Sequence, residues 1–170
     1  DLLSTARDKD QLERAWVQLD PADRRDPLVC AHGATLAVEL GALENARLWL
    51  RPHWDDLSRL APHEREAVLA AFVKASRQLP AEWLPSLESA LQALPLDPWV
   101  AYAAGVAMVE RGLWGRAVRL LKDVAEQPVA PMSIRGGAWL RLAQIAEDDG
   151  DTQRAAECYR AIGRLLRDSA

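Results

Sequence analysis

Three glycines, each set at the same distance from an alanine, constrain this chain more than any other feature. Gly41, Gly112 and Gly150 each stand five residues ahead of an alanine (Ala46, Ala117, Ala155), and four residues further comes a large apolar side chain (Leu50, Leu121, Tyr159). Glycine alone enters the left-handed cap conformation without a Cβ clash, so each marks the end of one helix and the turn into the next. Each alanine marks a point where the second helix lies so close to its neighbour that only a methyl group fits. Three copies of helix, tight turn and helix predict an all-α fold of antiparallel helix pairs.

The pairs can be laid out along the chain. Residues 1–20 hold a leading helix, the second half of a pair, with Leu12, Ala15, Trp16 and Leu19 at helical spacing and Asp20-Pro21 at its end. A charged linker, Asp23-Arg24-Arg25, leads to a repeat over 26–51 that Asp26-Pro27 opens and Gly41 turns. From Arg51 to Leu60 the outline blurs into a short helix or extended connection. A degenerate repeat over 62–94 begins at Pro62, where a first-turn proline is tolerated. Its first helix runs through Ala67, Ala71, Val73, Ala75 and Leu79 to Pro80, and no glycine turn follows. The repeat over 97–126 opens on Asp97-Pro98, carries Gly105 where two helices come close, and turns at Gly112. A linker from Pro128 to Pro131 precedes the last repeat, 132–167. From Gly112 to Gly150 is 38 residues, about four more than the ~34 of a tetratricopeptide repeat, and the linker absorbs the difference. Residues 1–170 thus read as a single domain, a right-handed superhelical solenoid of tetratricopeptide-like repeats.

Tests for chemistry return little. A net charge of −4 offers no field to attract nucleic acid. No stretch approaches the ~18 apolar residues of a membrane span, and no signal peptide opens the chain. It starts at Asp1 in a polar run without an initiator Met, and so reads as a soluble piece of something longer. Cys30 and Cys158 fall in the first and last full repeats, too far apart for a disulfide. Of the three histidines, His53 beside Trp54 is the best lone candidate for an axial heme ligand, with His32 next. The acidic clusters Asp55-Asp56 and Glu147-Asp148-Asp149 sit at helix ends, where they cap and solvate. No Gly-x-Gly-x-x-Gly turn or Gly-x-Ser-x-Gly elbow occurs. The expectation is a chain that is not an enzyme and carries no cofactor and no metal. The seven Trp are expected to fill seams between helices.

Binding is therefore expected on the concave side, formed by the first helix of each repeat. Registering the repeats on their turns places His32, Thr35 and Glu39 there, then Phe72, then Trp99 and Tyr102, then Arg141 and Gln144. Aromatic and Arg side chains dominate binding energy in such grooves, which singles out Trp99, Tyr102 and Arg141. The Lys and Asn positions that grip a peptide C-terminus in some tetratricopeptide domains hold Ala71, Tyr102 and Leu140 instead.

One cluster is narrower than the repeat pattern. The run Leu96-Asp97-Pro98-Trp99 to Gly105, followed by Arg111-Gly112-Leu113-Trp114-Gly115-Arg116-Ala117 and Leu120-Leu121, resembles the C-terminal tetratricopeptide region of the proteobacterial HemY family, membrane-anchored proteins associated with heme biosynthesis. Trp16-Val17-Gln18-Leu19-Asp20-Pro21 and Arg25-Asp26-Pro27 look alike too. The family's membrane-spanning N-terminal region is absent here, and Trp99 to Ala104 replaces a Leu-rich helix. The resemblance implies a non-catalytic scaffold or regulator of heme (porphyrin) biosynthesis. It implies protein partners among heme-biosynthesis enzymes, and an inner-membrane parent whose repeat domain faces the cytoplasm. Two alternatives stand beside it: a domain that binds heme or porphyrin directly, and a generic tetratricopeptide adaptor in envelope assembly.

Overall fold

A computed structural model describes residues 1–169. Ten α-helices account for most of the chain, and no strand occurs among the described residues: α1 (Lys9–Gln18), α2 (Pro21–Arg24), α3 (Pro27–Glu39), α4 (Leu43–Trp54), α5 (Pro62–Lys74), α6 (Leu84–Ala93), α7 (Pro98–Glu110), α8 (Trp114–Glu126), α9 (Met132–Asp148) and α10 (Thr152–Asp168). They pack as two compact units, Asp1–Pro95 and Leu96–Ala170.

The three glycine turns share one geometry. Gly41, Gly112 and Gly150 take φ of +80°, +70° and +76°. After each, the next residue donates to the carbonyl five residues back: Ala42 to Ala37 at 2.7 Å, Leu113 to Met108 at 2.9 Å, Asp151 to Ala146 at 2.8 Å. Each glycine donates in turn to the carbonyl three residues back, at 3.0–3.1 Å. This paired closure is the Schellman motif, and it satisfies the carbonyls that a helix end leaves open. It also explains the spacing to alanine. The residue after glycine caps the next helix, and Ala46, Ala117 and Ala155 make the first bonds back to that cap at 2.9–3.1 Å. All three alanines are buried, as their register requires.

Helix starts follow the sequence as closely. Asp26 accepts from Leu28 and Val29 N–H, and Asp97 from Trp99 and Val100 N–H, with Pro27 and Pro98 in the first turn. An aspartate cap satisfies amides that have no partner in the helix, while proline has no amide there to lose.

In residues 1–95, α3 packs against α4 and α5, and four tryptophans fill the core. Trp16 and Trp49 stack with centroids 4.2 Å apart and planes 13° from parallel, over Gly33. Trp54, Phe72 and Trp83 form a second cluster, with Trp54 4.2 Å from Phe72 and edge-on to Trp83. In residues 96–170, α8 and α10 both pack on α9, and α7 packs on α8. Gly105 admits that last contact: a Cβ there would stand 2.9 Å from Leu121 Cδ2.

Three local expectations are corrected. The segment read as a charged linker forms the short helix α2, because Pro21 suits a first turn and Arg24 N–H reaches Asp20 O at 3.0 Å. Helix α4 runs past Leu50 to Trp54, straight through Pro52. Proline denies a bond to the Leu48 carbonyl, but Leu48 and Pro52 both lie on the exposed side, so that the loss falls on the solvent face of the helix. Helix α5 ends at Lys74 rather than Leu79. Ser76 Oγ donates to Val73 O at 2.7 Å, and the buried Arg47 of α4 donates from Nη1 to Ala75 O at 2.9 Å and Arg77 O at 3.2 Å. Gln78 then takes φ +53°, the left-handed role that glycine fills elsewhere.

Candidate functional site

The expected face splits into a part that comes together and a part that does not. In residues 96–170, Trp99 and Tyr102 on α7 meet edge-to-face at 6.1 Å. Tyr102 is itself buried, and its hydroxyl reaches across to α9, beside the Arg141 guanidinium. Burial pushes the Tyr102 phenol up, and the Arg141 guanidinium opposes that shift. The approach depends on Gly137, one turn before Arg141 on α9, since a Cβ there would overlap the Tyr102 hydroxyl. Trp99 is half-buried, and its indole Nε1 is enclosed with no hydrogen-bond partner among the described residues. Gln144, three residues beyond Arg141, is exposed. An aromatic pair, a guanidinium held at its edge and an adjacent exposed amide thus share one stretch of α7 and α9. Such a set suits recognition of a polypeptide, through stacking on Trp99 and a charge-assisted bond from Arg141.

In residues 1–95, His32, Thr35 and Glu39 follow one another along α3. His32 is exposed, but its Nε2 lies 2.7 Å from Asp1 Oδ2 and 3.2 Å from Ser4 Oγ, so the N-terminal turn holds it. Thr35 Oγ1 donates to the Ala31 carbonyl of its own helix at 2.9 Å. Glu39 is exposed at the end of α3. Phe72, expected on the open face, has no exposed surface. Trp54 and Trp83 enclose it, so it packs the core and offers nothing to a partner.

His53, on α4, is half-buried. Burial lowers its pKa, while Asp26, Glu64 and Asp56 pull the other way. Among the described residues, no group of three His, Cys, Asp or Glu side chains converges as metal ligands would. Both cysteines are buried and free, and burial, with Asp26 second, pushes the Cys30 thiol up to about 12.

Three features went unread in the sequence. Arg47 carried no signal, because a buried arginine at a helix end is known only once its carbonyl partners are in place. Gly137 had a weak one, the Gly136-Gly137 pair inside a helix, where glycine weakens the helix and marks a close approach. The distinctive Leu113-Trp114 pair, read for its resemblance, is exposed at the start of α8, with Trp114 at 51%. Thus Trp16, Trp49, Trp54 and Trp83 are core residues as expected, whereas Trp99, Trp114 and Trp139 keep accessible surface.

No helix among the described residues is long and apolar enough to cross a membrane. Comparison of the chain with family models, curated proteins and solved structures found no match.

Proposed function

We propose that this chain is a non-catalytic protein-interaction scaffold built from tetratricopeptide-like hairpins, with Trp99, Arg141 and Gln144 as its contact face and the buried Tyr102 behind them. The observation that carries the reading is the Trp99–Tyr102–Arg141 cluster. An indole, a phenol and a guanidinium come together across two helices, and these are the side chains that dominate binding energy where proteins meet. The three Schellman-closed hairpins support the repeat architecture, a right-handed solenoid in which first helices line a common face.

The tie to heme biosynthesis rests on the resemblance of the Leu113 to Ala117 turn to HemY proteins. In this reading the scaffold holds a heme-pathway enzyme near the inner membrane. The parent protein is anchored there by a segment outside this sequence, and the repeats face the cytoplasm. No bond is made or broken by the domain.

The test is retention of heme-biosynthesis enzymes on the immobilised chain, compared with Arg141→Glu and Gly137→Ala. The first variant reverses the charge at the contact face, and the second forces Tyr102 off Arg141. Retention by the wild type and loss in both variants is the expected result. Retention of no such enzyme, or equal retention by the variants, refutes the reading. Hemin titration in parallel addresses direct heme binding. A saturable one-to-one Soret shift lost in His53→Ala or His32→Ala would replace the scaffold by a heme-binding domain.

A further inference from the structure

The distribution of charge along the chain is uneven. The excess acid lies wholly in residues 1–95, while residues 96–170 carry as many cations as acids. Within the second set, residues 111–122 hold Arg111, Arg116, Arg119 and Lys122 without one carboxylate. No acid occupies the first turn of α8, where it would complement the helix dipole.

Lys122, at the end of that run, faces a groove. Helices α8 and α10 both pack on α9, and between them opens a cleft of about 310 Å³, lined by Lys122 from α8, Trp139 from α9, and Arg154, Cys158, Ala161 and Arg164 from α10. That volume is at the low end for a ligand pocket, ~300–1,000 Å³, so it takes side chains and not a folded or bulky ligand. Cys158 and Ala161 are buried and Trp139 half-buried, which gives the cleft an apolar floor.

The rim carries three cations, Lys122, Arg154 and Arg164, and two carboxylates, Glu126 and Glu157. Lys122, Arg154 and Arg164 form no ion pair with any carboxylate among the described residues. Glu126 and Glu157 share the rim, yet Glu157 is engaged by Gln153 Nε2 at 3.5 Å instead. Arg154 also stands in the first turn of α10, against the helix dipole. Three cations against two carboxylates leave the rim one charge positive, and because the cations are not ion-paired a bound carboxylate can meet them directly.

This groove is not the face described above. Trp139 stands two residues from both Gly137 and Arg141, about 200° around the helix from each, so α9 presents its two sides to different surroundings.

We infer that the groove between α8 and α10 docks an acidic peptide segment of a partner protein. Its carboxylates meet Lys122, Arg154 and Arg164, and an apolar side chain between them seats on Trp139. A charged rim around an apolar floor favours a peptide over a lipid surface, since a bilayer cannot enter so narrow a cleft.

The probe is a fluorescein-labelled peptide of alternating Glu and Leu, followed by anisotropy with the full chain at low salt. Its Gln–Leu counterpart and vesicles of phosphatidylcholine with phosphatidylserine are measured beside it. Saturable binding of the Glu–Leu peptide is expected, weakened about tenfold or more in Lys122→Glu and in Arg164→Glu. Both side chains are exposed, and circular dichroism verifies that the variants fold. Arg160→Glu, exposed on α10 outside the groove, leaves the binding unchanged. Absence of saturable binding, equal binding of the Gln–Leu peptide, indifference to the two reversals, or capture of vesicles in place of peptide would each overturn the proposal. None of these outcomes depends on Arg141, so the groove and the α7–α9 face stand or fall separately.

Discussion

Two glycines inside helices make opposite demands on the same substitution. Replacing an exposed or unobstructed helical glycine by alanine stabilises a protein by roughly 1 kcal/mol, because alanine restricts the unfolded chain and favours the helix. Gly163, inside α10, has nothing within 4 Å of an added Cβ, so Gly163→Ala gains that full amount. Gly33, inside α3, is different. A Cβ there would stand 2.9 Å from Trp16 Cζ3, 3.2 Å from Trp16 Cε3 and 3.4 Å from Trp49 Cε3. The Trp16 ring is rigid and cannot retreat, since Trp49 backs it at 4.2 Å. Overpacking typically costs ~1–3 kcal/mol, and separating an aromatic pair costs ~0.5–1.5 kcal/mol more. Set against the gain of about 1 kcal/mol from propensity, Gly33→Ala is destabilising by about 0.5–3.5 kcal/mol. Urea denaturation of both variants reads the difference in sign. Near-ultraviolet circular dichroism reads its cause, because parallel indoles at this distance couple and their signal falls when they part. If Gly33→Ala proves as stable as Gly163→Ala, the Trp16–Trp49 stack does not press on α3 as described.

Two further outcomes follow from the first unit. Arg47→Met preserves the aliphatic bulk but removes the donor to the Ala75 and Arg77 carbonyls, and denaturant titration should show a loss of ~1–3 kcal/mol for the buried acceptors left unmatched. His53 has a folded pKa below its ordinary value, burial being the larger cause. The unfolded chain therefore binds this proton more readily, and the contribution of neutral His53 is complete above about pH 6.5 and lost as pH falls through the folded value. Urea midpoints at pH 7.5 and 5.5 should converge more in His53→Gln than in the wild type, and an unchanged pH dependence would contradict the burial of the ring.

What could be read in the sequence was what the backbone decides locally. Glycine at φ near +75°, an aspartate and a proline at a helix start, and an alanine one turn into a helix act through atoms within about six residues, so Gly41, Asp26, Pro98 and Ala117 declared their roles. The end of α5 did not. Ala75 and Leu79 continue the apolar period beyond Lys74, and the helix stops because Arg47, 28 residues earlier in the chain, takes the carbonyl that a further turn would have used. Phe72 was misplaced for a related reason. Counting from the turns gives its angular position on the helix, but whether that angle faces solvent depended on Trp54 and Trp83 closing over it. The meeting of Tyr102 with Arg141 was half legible: both were assigned to one face, while the missing side chain at Gly137 that lets them touch had no cue stronger than two adjacent glycines.

The Schellman closures have a consequence for how such a chain can change length. Every hydrogen bond that shapes the turn between α3 and α4, between α7 and α8, or between α9 and α10 begins and ends within that turn. A hairpin therefore carries its own corner with it, and the instructions for that corner travel in a short stretch of residues around one glycine. Gain or loss of one or two residues there would destroy the corner, whereas gain or loss of a whole hairpin would leave every remaining corner intact. The tolerated steps in length are those of complete hairpins, and the joints at which to cut or splice lie between them, at stretches such as Pro128 to Pro131.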